Sequence, residues 1–112
     1  MKLKKRFTVE VFDADVVVVV ADDIPKEYKK EFGIQIDDVR MACCGYNGRK
    51  FGLFFEPKAV ARTEIVAHEV FHLTHRILDL CCMNFDSCHH EVGAYLHEHL
   101  IKKVLHILNK NQ

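Results

Sequence analysis

The hydrophobic and polar positions change period three times along the chain. In RFTVEVF, Phe7, Val9 and Val11 alternate with Thr8 and Glu10, the two-residue period of a half-buried strand. A short turn at Asp13-Ala14-Asp15 leads to DVVVVVA. This uninterrupted β-branched run suits a strand covered on both faces and central in a sheet. In DDIPKEYKKEFG the period becomes helical. Ile24, Tyr28 and Phe32 share a face, Asp22 or Asp23 can cap the start, Pro25 lies in the first turn and Gly33 stops the helix. VRMACCGYNGRKFGLFFE then reads as two strands joined at Asn47-Gly48, a dipeptide that accepts the positive φ of a tight hairpin turn.

From Pro57 the pattern turns helical again. Between Val60 and Cys82 a wheel at about 100° per residue puts Val66, Val70, Leu73 and Ile77 on one side, the core face. His68, His72, His75 and Asp79 fall within about 60° of one another on the opposite side. Asn84, Asp86 and Ser87 mark a loop, and Asp86 or Ser87 can cap a last helix running to about Leu108, with Glu91 in its first turn. These elements predict an α+β fold: a small, mainly antiparallel sheet with one short helix, then two longer helices.

Composition narrows the setting. The 112 residues fit one domain, 1–112. With 16 Lys+Arg against 16 Asp+Glu, the chain lacks the net field that draws proteins to nucleic acid or anionic membrane. The basic start KLKKR is read as solvated. The longest apolar run, Val16 to Ala21, is far below the roughly 20 residues that span a bilayer, and no signal-peptide core precedes it. Five cysteines, an odd number with two adjacent pairs, suit reduced thiols. A cytoplasmic protein with neither nucleic-acid nor membrane partner is expected.

The candidate chemistry lies in residues 68 to 72, HEVFH. Chance alone places this pattern in such a chain about 4 % of the time, so its surroundings have to argue for it. Imidazoles at i and i+4 on a helix project in parallel and suit two corners of a zinc tetrahedron. Glu69 lies about 100° around the wheel, beside the site, where a carboxylate can act as general base toward water. A site of this kind needs a third protein ligand. Glu91, nineteen positions after His72 in HHEVGAYLHEHL, is within reach if the two helices cross at an angle. Cys88, His89 and His90 compete with it. Glu91 is favoured because it shares a polar face with Tyr95 and Glu98, which could confront the histidine stripe.

TEIVAHEVFH followed by Glu91-Val-Gly-Ala-Tyr95 resembles the gluzincin branch of the zincin metallopeptidases, in which a glutamate on the next helix is the third ligand. The order of sheet, hairpin, HExxH helix and Glu helix is also similar to minimal gluzincin-like proteins encoded by phages or prophages. The resemblance covers about residues 60 to 100. It implies one Zn²⁺ ion bound by His68, His72 and Glu91, Glu69 as general base, and hydrolysis of a peptide or protein substrate. It also implies that the substrate lies along an exposed strand edge, for which RKFGLFFE is the candidate. The chain lacks the metzincin signature's glycine and third histidine: position 75 is His and position 78 is Leu. It also lacks the large C-terminal domain of long gluzincins. The alternatives are a zinc-binding regulatory or interaction module that hydrolyses nothing, and a metal-free structural protein.

Other residues are weighed beside these. His75, with Asp79 four residues on, extends the stripe and is read as a hydrogen-bonded or solvated histidine before a functional one. The hydroxyl of Tyr95 can steady an oxyanion or pack between helices. Cys81, Cys82, Cys88, His89 and His90 lack the C-x-x-C spacing of a second metal site. His97, His99 and His106 are read as surface or hydrogen-bonded histidines. Neither substrate nor oligomeric state is encoded legibly.

Overall fold

A computed structural model describes residues 3–39, 41–84 and 86–110. Lys2 of the basic start and Arg40 of the expected hairpin lie outside the described residues. The chain is α+β, with a four-stranded mixed sheet and three α-helices.

Strand β1 (Leu3–Val9) pairs antiparallel with β2 (Ala14–Val20). The alternation of β1 holds at Phe7 and Val9, but the chain leaves the strand in a 3-10 turn over Glu10–Phe12, so Val11 is 90 % exposed and not part of the core. Asp13 takes the left-handed conformation, φ 51, and β2 begins at once at Ala14. The basic start is not merely solvated. Lys4 and Arg6 belong to β1, and Glu31 receives Lys4 Nζ at 3.1 Å and Arg6 at 2.7 Å.

The valine run divides its side chains between two cores, as a central strand requires. Val16, Val18 and Val20 join the larger core, while Val17 and Val19 pack on the other face. Helix α1 (Ile24–Phe32) covers that second face. Asp23 caps it by accepting from the Lys26 N–H, and Gly33, φ 71, ends it. Ile24 and Phe32 are buried, and the rings of Tyr28 and Phe32 pack against Phe54, Phe32 edge-on. The ring of Tyr28 lies directly over Gly45, where a Cβ would overlap it.

The hairpin forms as expected: β3 (Ala42–Asn47) pairs antiparallel with β4 (Lys50–Phe55), and Gly48 takes φ 62 in the turn. Its place in the sheet differs from expectation. The strand order is β1-β2-β4-β3, and β4 pairs parallel with β2. The sheet is therefore mixed, and RKFGLFFE supplies an interior strand while β3 and β1 are the edges. The physical reason is burial. Phe51, Leu53 and Phe55 face the larger core and Phe54 the smaller, so β4 needs cover on both faces.

Helix α2 (Thr63–Leu80) and helix α3 (His90–Lys110) cover the larger core. On α2 the expected face, Val66, Val70, Leu73 and Ile77, is buried. Helix α3 starts later than predicted. Asp86 caps a turn ahead of it, its Oδ1 accepting from the Cys88 N–H at 2.9 Å and the His89 N–H at 3.1 Å. No described helix is long and apolar enough to cross a membrane.

Candidate functional site

The i,i+4 spacing on α2 brings His68 and His72 together as the sequence predicts. Their Nε2 atoms are 3.2 Å apart and their ring centroids 4.8 Å apart. Both rings are exposed. Two ligands in a tetrahedral zinc site, at Zn–N of about 2.05 Å, stand about 3.3 Å apart, so the spacing of the pair matches two corners of such a site. Without a metal, one ring holds its proton on Nε2 and donates it to the other.

Glu69 sits behind the pair. It is only 8 % exposed, and its Oε2 lies 3.9 Å from His68 Nε2. Burial pushes its carboxyl above the usual range, and His68 and His72 pull it partway back. The carboxylate faces the edge strand β3. Burial raises the thiols of Cys43 and Cys44 to about 12, and the charge of Glu69 adds to the rise. All five cysteines are free thiols, and at these two positions they remain protonated and weakly nucleophilic. Neither cysteine was singled out from the sequence, because their nearness to Glu69 depends on where β3 lies.

Glu91 is not brought to the pair. It lies on the exposed first turn of α3, 3.7 Å from His90 Nε2, and no group of three or more His, Cys, Asp or Glu able to hold a metal occurs among the described residues. The apolar face of α3 is the reason. Gly93, Leu96 and Leu100 are buried, and burying them turns the side bearing His97 toward α2. Tyr95, one turn on from Glu91, is 67 % exposed and lines an apolar depression with Val11, Phe12 and Val92, away from the histidine pair.

His97 instead meets α2. Its Nδ1 is 3.0 Å from Thr74 Oγ1, and its ring is 6.1 Å from that of Phe71. His75 rests edge-on against Phe71 at 4.7 Å. Arg76, one helical turn beyond His72, holds its guanidinium 4.7 Å over the ring of Tyr46 on β3. Sequence reasoning missed Arg76. The i+4 step from His72 was the available signal, but the contact with Tyr46 spans two elements.

Comparison of the chain with family profiles, with characterised protein sequences and with solved structures gave no match.

Proposed function

We propose that the protein is a zinc-dependent metallopeptidase built on His68, His72 and Glu69. The observation that carries this reading is the 3.2 Å spacing of the two exposed Nε2 atoms in front of a buried carboxylate. A zinc ion held there supplies Lewis acidity toward a peptide carbonyl and toward water. His68 and His72 bind through Nε2. Glu69 takes a proton from the attacking water at a carboxylate oxygen and delivers it to the departing amine. The unpaired side of β3 lies beside Glu69 and offers main-chain hydrogen bonds to an extended substrate.

In this reading Glu91 would be the third ligand, which requires the first turn of α3 to move toward the pair. Among the described residues its exposed carboxylate pairs only with the neighbouring His90, and the movement would work against the His97–Thr74 contact that orients α3. The absence of a ready third donor among the described residues favours one other reading, a metal-free structural protein, because a zinc site without turnover needs more protein ligands than a catalytic one.

The test is zinc stoichiometry on untagged protein together with hydrolysis of a peptide library. Wild type is expected to bind one zinc and cleave. Glu69→Gln is expected to keep the zinc and lose cleavage, because an amide cannot accept the proton. Stoichiometric zinc without turnover on any peptide selects a zinc-binding module, and no zinc binding selects the metal-free protein.

A further inference from the structure

We propose that Arg76 and Tyr46 form a carboxylate subsite beside the histidine pair, taking an acidic side chain or the free C-terminus of a bound peptide. That the ligand is a peptide rests on the reading above. The subsite itself rests on the geometry of Arg76.

Arg76 is exposed on α2, yet its guanidinium is not loose. It lies on the Tyr46 ring at 4.7 Å, and Tyr46 stacks in turn on Phe51, with ring centroids 6.4 Å apart and planes inclined by 27°. Among the described residues it makes no ion pair, although Asp79 stands three residues along the same helix, a spacing at which such pairs form. A planar cation fixed on an aromatic face keeps its N–H edges free and has already lost much of its rotamer freedom. That is the state in which arginine recognises a carboxylate in two parallel hydrogen bonds.

Arg76 also stands between two depressions. One, of about 280 Å³, is lined by Phe71, His72, His75, Arg76 and Asp79. The other, of about 270 Å³, runs past Tyr46, Gly48 and Phe51. Asp79 borders both, and only the first also holds His72 and His75, so the carboxylate that Arg76 receives enters at the His72 end of that depression. The distances agree with a peptide lying along β3. Along α2, Arg76 stands seven residues beyond Glu69, roughly 10 Å at about 1.5 Å per residue. The acidic group therefore lies about three residues from the bond presented to Glu69.

The experiment follows the Arg76 side-chain N–H and Tyr46 ring signals by NMR in the isotope-labelled full chain, with zinc and with a chelator. The probes are a blocked alanine pentapeptide amide, the same peptide carrying one glutamate or one glutamine, and the alanine peptide with a free C-terminal carboxylate. A carboxylate peptide is expected to bind about five-fold more tightly than the neutral ones, a gain of the size expected for one partly exposed charged hydrogen-bonded pair. The tighter of the two carboxylate probes identifies the source. Arg76→Gln should bring every peptide to the neutral level, Arg76→Lys should keep part of the preference, and Tyr46→Leu should weaken it. Equal affinities in wild type, a preference that survives Arg76→Gln, or no binding of any peptide would overturn the subsite. If carboxylate peptides bind at Arg76 while zinc does not bind, or no peptide is cleaved, the metallopeptidase reading falls and the subsite stands.

Discussion

His97 donates to Thr74 across the two long helices. The hydroxyl of Thr74 donates its only proton to the Val70 carbonyl at 3.0 Å, so the 3.0 Å contact with His97 Nδ1 requires the ring to supply an N–H to the oxygen lone pair. This bond, with Leu96 and Leu100 buried on either side of it along α3, fixes the rotation of α3 about its axis and hence where Glu91 and Tyr95 point.

The His97 contact predicts acid sensitivity. Burial holds the imidazole below its ordinary value of 6.5, so the folded state takes up its proton less readily than the unfolded chain. Its contribution to stability is present above about pH 6.5 and is lost as pH falls through the lowered folded value. Chemical denaturation at pH 7.5 and 5.5 should show a smaller loss for His97→Gln than for wild type.

Glu31 predicts a second, lower window. Burial pushes its carboxyl up, but hydrogen bonds from Arg6 and Lys4 outweigh this and hold it below its ordinary value of 4.5. Its contribution is present above about pH 4.5 and is lost as pH falls through the depressed value. The cations are partly exposed, Arg6 at 62 % and Lys4 at 39 %, so Glu31→Gln should cost less than about 1 kcal/mol. Urea denaturation at rising salt should shrink that cost.

Zinc titration decides the role of Glu91. If α3 closes on the metal, Glu91→Ala should weaken zinc binding about ten-fold or more, since a two-histidine site lacks the third protein ligand. Zinc should also shift the backbone amide signals of residues 86–92. Unchanged affinity and unchanged signals would leave the histidine pair without Glu91.

Two glycines should respond differently to alanine. A Cβ at Gly45 overlaps the Tyr28 ring, and forcing that ring off the β3 backbone should cost about 1–3 kcal/mol in thermal or chemical denaturation. At Gly33 nothing lies within 4 Å, but φ is +71, so Gly33→Ala should cost about 1–2 kcal/mol through the backbone alone. Tyr28→Ala made together with Gly45→Ala should remove the clash and leave the Gly33 effect untouched.

Much of this protein is set by its sequence. Val16 to Val20 had to be a central strand, because five consecutive valines expose apolar surface on both faces wherever the strand lies. The face Val66, Val70, Leu73 and Ile77 was legible from its spacing, and the same spacing sets His68 and His72 side by side at 3.2 Å. These are local consequences of strand and helix periods. Strand order was decided by tertiary pairing. The signal that β4 is interior stood in the near-continuous run Phe51 to Phe55, but choosing β3 as an edge required knowing that β2 pairs with β4. The face of α3 was decided the same way. The wheel offers a polar face through Glu91, Tyr95 and Glu98 and an apolar one through Leu96 and Leu100, and burying the second against α2 carries Glu91 away from the histidines. Arg76 meets Tyr46 from thirty residues away. Such contacts depend on which apolar faces win burial across the whole chain, a competition that no local period records.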